Sequence, residues 1–84
     1  MDKKGFRFSN HLNKRLEERN IKESWVLETL EKPDKKLEIA ENETHYFKRV
    51  IEFAEKCLKV VLNPISKTIV TAYFDRKMKK TNCK

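Results

Sequence analysis

The sequence predicts an α+β fold in which two N-terminal helices pack on one face of a four-stranded antiparallel sheet, with a fifth strand if the first residues extend it. Apolar residues recur at helical spacing before Pro33 and at every second position from Lys36 onward. Short turns separate the segments of period two, so successive strands become antiparallel neighbours. We assign residues 1–76 of the 84 to one domain and residues 77–84 to a basic C-terminal tail.

The first half of the chain carries the helical pattern. A short strand is expected at residues 6–8, after which Ser9 or Asn10 supplies the N-cap oxygen of the first helix. Asn20 tolerates a left-handed conformation and ends that helix. The second helix spans about residues 22–31 and stops before Pro33. The expected inward-facing residues are Leu12 and Leu16 in the first helix, and Val26, Leu27 and Leu30 in the second.

Strict alternation assigns the strand residues to two faces. The four strands are expected at residues 37–39, 45–53, 58–62 and 68–74. The residues expected to face the helices are Phe47, Ile51, Phe53, Leu58, Val60, Leu62, Val70, Ala72 and Phe74. The opposite, open face would carry Tyr46, Lys48, Lys59, Val61, Ile69, Thr71 and Tyr73. Arg49 has the parity of the core residues, so it either reaches the edge of the sheet or marks a bulge.

Charge is concentrated in the second half of the chain. Residues 1–42 carry ten basic and nine acidic side chains, whereas residues 43–84 carry ten basic and four acidic side chains. The net charge of the whole chain is +7. A basic half suits a polyanion, and RNA is the polyanion expected for a cytoplasmic protein. The alternative is that a lysine-rich surface only keeps a small protein in solution.

The sequence offers no motif for a cofactor or a metal. It has no glycine-rich phosphate loop and no Cys or His cluster with metal-ligand spacing, so we expect neither a cofactor nor a metal site. The two cysteines, Cys57 and Cys83, are interpreted as free thiols. No apolar stretch approaches the ~20 residues that a membrane-spanning helix needs, so we expect no contact with a membrane.

Two sets of polar residues could carry chemistry. His11, Arg15 and Arg19 recur every four residues along the first helix, where an imidazole can exchange a proton and guanidinium groups can hold a phosphate. They could equally form a solvated helix face. On the open face, lysines interleaved with tyrosines suit single-stranded RNA, since cations contact phosphates and rings stack on bases. The alternative is that Thr71 and Tyr73 are simply good strand formers.

The sequence resembles a prokaryotic family of domains of unknown function, DUF4258, which is placed with the RelE-like toxins of the barnase, EndoU, colicin and RelE superfamily of ribonucleases. The resemblance extends from residue 8 to residue 76. It rests on the helix set of His11, Arg15 and Arg19, the segment 21–33, and the strand motifs at 46–48, 58–61 and 69–73. It implies a RelE-like fold, RNA as the substrate, and a role as the toxin of a toxin-antitoxin pair.

The resemblance also implies site residues. The implied catalytic set is His11, Lys48, Thr71 and Tyr73. Beside it we select from the residues themselves a nucleic-acid-binding set of Arg15, Arg19, Tyr46, Lys59 and Arg76. The implied reaction is metal-independent cleavage of RNA by its own 2′-hydroxyl. The chain departs from a full RelE toxin because Asp75-Arg76 stands where a catalytic C-terminal ending is expected.

Two other functions stay open. The same basic face could bind RNA or DNA without cleaving it. The domain could instead bind a protein, with an exposed strand edge or the open face occupied by an acidic antitoxin or by a second copy of the chain.

Overall fold

The fold described by a computed structural model contains two helices and six strands, and the description covers residues 2–3 and 5–75. The helices are α1 (Asn10–Glu18) and α2 (Glu23–Glu31). The strands are β1 (Asp2–Lys3), β2 (Phe6–Arg7), β3 (Lys35–Ala40), β4 (Glu43–Val50), β5 (Lys56–Asn63) and β6 (Thr68–Phe74). This arrangement confirms the α+β class. Arg76 and the expected basic tail at 77–84 lie outside the described residues.

Local capping interactions set the limits of α1, as the sequence predicted. The Ser9 side chain is the N-cap and accepts a hydrogen bond from the backbone N–H of Leu12 at 3.0 Å. Asn20 follows the helix with a φ of 56°, so it takes the left-handed conformation that was expected to end α1. Leu12 and Leu16 are buried on one side of the helix.

Helix α2 packs against the centre of the sheet through its buried residues Trp25, Val26, Thr29 and Leu30. The Thr29 hydroxyl donates to the backbone oxygen of Trp25 at 2.7 Å, which satisfies the buried group within the helix. Lys32 caps the C-terminal end just before Pro33, as expected. No helix in the described part of the chain is long and apolar enough to cross a membrane.

The sheet has the order β1-β2-β6-β5-β4-β3. Strands β3 to β6 form an antiparallel meander, which confirms that part of the prediction. The expectation of a purely antiparallel sheet is wrong, because β2 pairs parallel with β6 through Arg7 and Thr68. After β2 the chain forms both helices over one face of the sheet and then enters β3 at the opposite edge. Strands β2 and β6 are therefore neighbours in the sheet although they are far apart in the sequence.

The main core lies between the helices and one face of the sheet. It is built from Phe8, Leu12, Leu16, Ile21, Trp25, Val26, Leu30, Val50, Leu58, Val60, Leu62, Ile69 and Ala72. Tyr46 and Phe74 are half-buried against this cluster. Phe47 and Cys57 form a separate buried pair, which lies on the other face.

The predicted faces of β4 are wrong by one residue. Tyr46 packs on the main core opposite Val60, so it faces the helices. Lys48 lies opposite Leu58 on the same face, where its Nζ donates to the backbone oxygen of Lys32 at 3.1 Å. The chain leaves the strand after Val50, and Ile51, expected in the core, begins a 3-10 turn with 72% of its surface exposed.

A bulge changes the face assignment at the start of β6. Val61 pairs with Thr71 and Leu62 pairs with Ile69, so Val70 is an extra residue in the ladder. As a result Ile69 is 1% exposed in the core and Val70 is 58% exposed, the reverse of the prediction. After the bulge, Ala72 faces the core as expected.

Arg49 on β4 and Cys57 on β5 lie opposite each other in the sheet. Arg49 pairs with Cys57 and its backbone N–H donates to the Asp34 carboxylate at 2.9 Å. It therefore occupies a regular ladder position on the face away from the helices, neither at the sheet edge nor in a bulge. Cys57 is buried and disulfide-bonded, so the expectation of a free thiol is wrong there, and Cys83 lies outside the described residues.

Candidate nucleic-acid interface

The sheet face turned away from α1 and α2 gathers most of the cationic, aromatic and hydroxyl groups of the strands. We call it the helix-free face. Residues directly opposite each other on neighbouring strands share a face, so the strand pairing defines its members. They are Lys35, Leu37, His45, Phe47, Arg49, Cys57, Lys59, Val61, Thr71 and Tyr73.

One row across this face alternates cations with aromatic rings. The pairing places Lys35, Phe47, Lys59 and Tyr73 side by side on β3, β4, β5 and β6. Lys59 Nζ lies 5.8 Å from the centroid of the Phe47 ring and 5.5 Å from that of Tyr73. Lys35 Nζ lies 6.0 Å from the centroid of the Phe47 ring. Each ammonium group is thus held over a ring face while its stem covers apolar surface.

The neighbouring row contains the imidazole of the face. Leu37, His45, Val61 and Thr71 lie side by side on the same four strands. The Nε2 of His45 lies 2.7 Å from Oε2 of Glu43. A carboxylate only accepts hydrogen bonds, so Nε2 is the donor in this contact. The Phe47 ring supports the imidazole in a T-shaped contact with centroids 6.5 Å apart.

Arg19 links this face to α1 around the edge of β6. Its guanidinium donates to the backbone oxygen of Ala72 at 3.0 Å and its Cζ lies 6.0 Å from the centroid of the Tyr73 ring. A bond to the strand edge and a contact with the ring hold the side chain at the end of the cationic row. Arg19 therefore extends the row from four strands of the sheet to the C-cap of α1.

His45 and Thr71 lie on either side of Val61 on the helix-free face. Directly opposite side chains have Cβ atoms roughly 5 Å apart, and diagonal neighbours lie about 7–8 Å apart. Val61 separates His45 from Thr71 and is 9% exposed. Because two strand spacings lie between them, the Cβ atoms of His45 and Thr71 are about 10 Å apart. Lys59 is two residues from Val61 on the same strand and supplies a cation beside that position.

The structure brings together four of the residues selected from the sequence and separates the other four that it describes, while Arg76 lies outside the described residues. Lys59, Thr71 and Tyr73 share the helix-free face, and Arg19 reaches it. Tyr46 and Lys48 lie on the opposite face, so the prediction that they share a surface with Thr71 and Tyr73 is wrong. The physical reason is the alternation of β4, in which Tyr46 and Lys48 have the parity of Val50 in the core.

His11 and Arg15 lie on α1, away from this face. Both are exposed, and Arg15 forms a weak ion pair with Glu18 at 3.9 Å. His11 precedes Arg19 by eight residues, which corresponds to about 12 Å along a helix axis. Arg19 is the α1 residue that contacts Tyr73, so His11 stands a long way from the row.

Sequence reasoning missed His45, Phe47 and Lys35 as members of this face. The alternation of β4 was present in the sequence, but its phase was set by the bulk of Phe47 and Ile51. His45 and Phe47 have the parity of Arg49, the one residue that contradicted the predicted phase. A shift of the β4 alternation by one residue places His45, Phe47 and Arg49 together on the open face and removes that contradiction.

Among the residues the structure describes, no three His, Cys, Asp or Glu side chains gather closely enough to hold a metal ion. Comparison with curated proteins gives no match, and comparison with solved structures gives none either. A family model described as a domain of unknown function, DUF4258, matches residues 8–74 and so includes both helices, strands β3 to β6 and every residue of the helix-free face. The protein therefore belongs to the DUF4258 family.

Proposed function

We propose that this domain binds single-stranded RNA on the helix-free face of its sheet. The observation that carries the proposal is the row of Lys35, Phe47, Lys59 and Tyr73, which alternates cations with rings across four strands. Cations neutralise phosphates, and the half-buried ring of Tyr73 can stack on an unpaired base. Phe47, which is 4% exposed, instead supports the lysines on either side of it.

The electrostatics of the face favour an anion. Lys35, Arg49 and Lys59 lie on it and Arg19 joins it at the β6 edge. Of the acidic groups beside it, Glu43 contacts His45 and Asp34 accepts from the backbone N–H of Arg49. The contact between Lys59 and two rings orients the lysine without neutralising its charge. An RNA strand that runs across β3 to β6 would therefore meet a cation at each end of the row and another at its centre.

The first test measures binding of a fluorescently labelled single-stranded RNA by anisotropy. Replacing Tyr73 by leucine keeps apolar bulk and removes the stacking ring, and stacking of one base is typically worth about 1–3 kcal/mol. We expect Tyr73→Leu to weaken binding at least fivefold. Val70→Leu is the matched control, since Val70 lies on the same strand but outside the row. Equal affinity of Tyr73→Leu and the wild type would contradict the proposal.

A second candidate function is metal-independent cleavage of the bound RNA, and the pairing of His45 with Glu43 favours it. In this reaction the 2′-oxygen bonds to phosphorus and the bond from phosphorus to the 5′-oxygen breaks. The products are a 2′,3′-cyclic phosphate and a 5′-hydroxyl. In this proposal neutral His45 would accept the 2′-hydroxyl proton through Nδ1, because Glu43 occupies Nε2.

The other groups of the face would act on the phosphate. Lys59 would offset the charge that develops on the phosphate oxygens, and such a cation is typically worth about 10²–10³ in rate. The Thr71 hydroxyl stands across Val61 from His45 and would donate a hydrogen bond to a phosphate oxygen, while the leaving 5′-oxygen takes its proton from water. Tyr73 would hold the adjacent base.

The chain contains two histidines, which permits a matched test of cleavage. We expect the wild type to cleave single-stranded RNA in the presence of a chelator and to leave cyclic phosphate ends. His45→Asn should lower the rate about 10²-fold or more, the usual worth of general acid-base help. His11→Asn, on the exposed face of α1, should cleave at the wild-type rate. Cleavage that depends on His11 and not on His45 would contradict the role of His45 and support the site expected from the resemblance. RNA binding without cleavage would rule out the cleavage function and leave binding as the function of this face.

The wider biological role follows from the same proposal. Two helices on one face of an antiparallel meander are what a RelE-like fold requires, and an RNA-cleaving domain of this kind would act in the cytoplasm as the toxin of a toxin-antitoxin pair. Its cationic helix-free face would then suit an acidic antitoxin, which would compete with RNA. The competition can be measured by adding a polyglutamate peptide to the RNA complex, with loss of anisotropy as the expected result.

A further inference from the structure

Strand β3 ends the sheet and presents an open edge. No strand in the described part of the chain pairs with its outer side. Two large apolar residues of β3 are exposed, Leu37 at 39% and Ile39 at 55%. Unpaired backbone groups beside exposed apolar side chains form a template for another strand.

The sequence of β3 is suited to pairing with itself. Consider a two-fold axis perpendicular to the sheet, which keeps both helix pairs on the same side of a continuous sheet. Directly opposite residues must then share a face, and alternation allows this only when one residue of β3 lies opposite its own copy. The central choices for that residue are Lys36, Leu37 and Glu38.

Charge selects one of these three registers. An axis at Lys36 places two ammonium groups opposite each other, and an axis at Glu38 places two carboxylates opposite each other, so both registers are repulsive. An axis at Leu37 places leucine on leucine and sets Lys36 opposite Glu38 of the second copy, twice by symmetry. Lys36 and Glu38 already point to one face within a single chain, where Nζ and Oε1 are 3.8 Å apart.

We propose that two copies of the chain associate through antiparallel pairing of their β3 edges, with Leu37 on the two-fold axis and Lys36 opposite Glu38 of the second copy. The bulge between Glu38 and Ala40 ends the regular part of the edge just beyond this pairing. The contact is therefore short, and the dimer forms reversibly in the concentration range of weak complexes.

Pairing in this register joins the two helix-free faces. The row of Leu37, His45, Val61 and Thr71 continues across the axis into the same row of the second copy, and Lys35 lies opposite Ile39 of that copy. If the RNA-binding proposal holds, the dimer offers one strand of RNA twice the length of surface. The association itself needs no RNA, so it is tested without RNA and stands or falls separately from the binding function.

The experiment is sedimentation velocity of the full chain over a range of concentrations. The wild type is expected to shift from monomer to dimer as concentration rises. Lys36→Glu puts glutamate opposite glutamate and Glu38→Lys puts lysine opposite lysine, so each variant alone should weaken dimerisation about tenfold or more. Ile65→Lys is the control, because Ile65 is an exposed apolar residue in the turn between β5 and β6.

Mixing the two variants provides the decisive arm. A heterodimer of Lys36→Glu with Glu38→Lys restores opposite charges at both positions, so the mixture should dimerise as strongly as the wild type. A wild type that stays monomeric at all concentrations would overturn the proposal. A mixture that dimerises no better than its components would overturn the register.

Discussion

Lys59 shows how one residue can belong both to the stability and to the function of this domain. Its stem lies between the rings of Phe47 and Tyr73, and its ammonium group is within 6 Å of both centroids. The rings fix the lysine in place, and the lysine helps to bury Phe47, which is 4% exposed. The sequence identified Lys59 through simple alternation on β5, because that strand has no bulge before Val61 and keeps its phase.

Lys48 shows the opposite outcome. The sequence selected it as a catalytic cation, but its Nζ donates to the backbone oxygen of Lys32 and lies 4.0 Å from the Glu28 carboxylate. A long side chain can cover apolar surface with its stem and still reach a polar partner, so a lysine on the core face of a strand is tolerated at the edge of a helix. Charge alone could not assign its face.

Ala54 adopts a backbone conformation that its side chain disfavours. Its φ is 54° and its ψ is 30°, and this left-handed conformation costs a residue with a Cβ about 1–2 kcal/mol. Ala54→Gly should therefore stabilise the protein by about 1 kcal/mol, measured as the free energy of unfolding in urea.

The control for Ala54 is the alanine of β3. Ala40 is not among the residues with positive φ, so Ala40→Gly should destabilise the protein by about 0.5–1 kcal/mol. The two substitutions remove the same methyl group and should change stability in opposite directions. A loss of stability in Ala54→Gly would contradict the strain assigned to that turn.

At the level of elements, helices and the order of strands were predictable, whereas the faces of two strands were not. The helix limits follow from Ser9, Asn20 and Pro33, which act through local geometry. The bulge in β6 depends on packing against other strands, which no local pattern contains. The sequence pointed to the phase of β4 only through the parity of Arg49. The site prediction failed at the same places, because Tyr46 and Lys48 were assigned through the phase of β4.

The bulge at Val70 gives a sharp prediction for β6. Ile69→Ala removes buried methyl groups from the core and should cost about 2–4 kcal/mol of unfolding free energy. Val70→Ala, one residue later, should change it by no more than about 0.5 kcal/mol. The strict alternation of the sequence would give the reverse order, so urea unfolding of the two variants decides between a bulged strand and a regular strand.

At the level of the whole molecule, the sheet separates two tasks. One face is covered by α1 and α2 and holds the main core, and the other carries the cations and rings of the RNA-binding proposal. The composition predicted the second task through its net charge of +7 and the concentration of that charge in the strand-forming half. It could not place the charge on a face, because both faces of a strand are equally close in sequence.

The helix-free face is proposed to bind single-stranded RNA. Two half-buried lysines on opposite faces of the sheet, Lys59 and Lys48, allow a matched test of this binding. The measurement is RNA affinity as a function of salt for Lys59→Ala and Lys48→Ala, with circular dichroism to confirm that both fold. Losing one phosphate contact to a single strand reduces the salt slope by about 0.7. We expect Lys59→Ala to bind RNA more weakly and with this smaller salt slope. We expect Lys48→Ala to keep the wild-type affinity and the wild-type salt slope. Wild-type binding by Lys59→Ala, or an equal loss in both variants, would contradict the RNA-binding proposal.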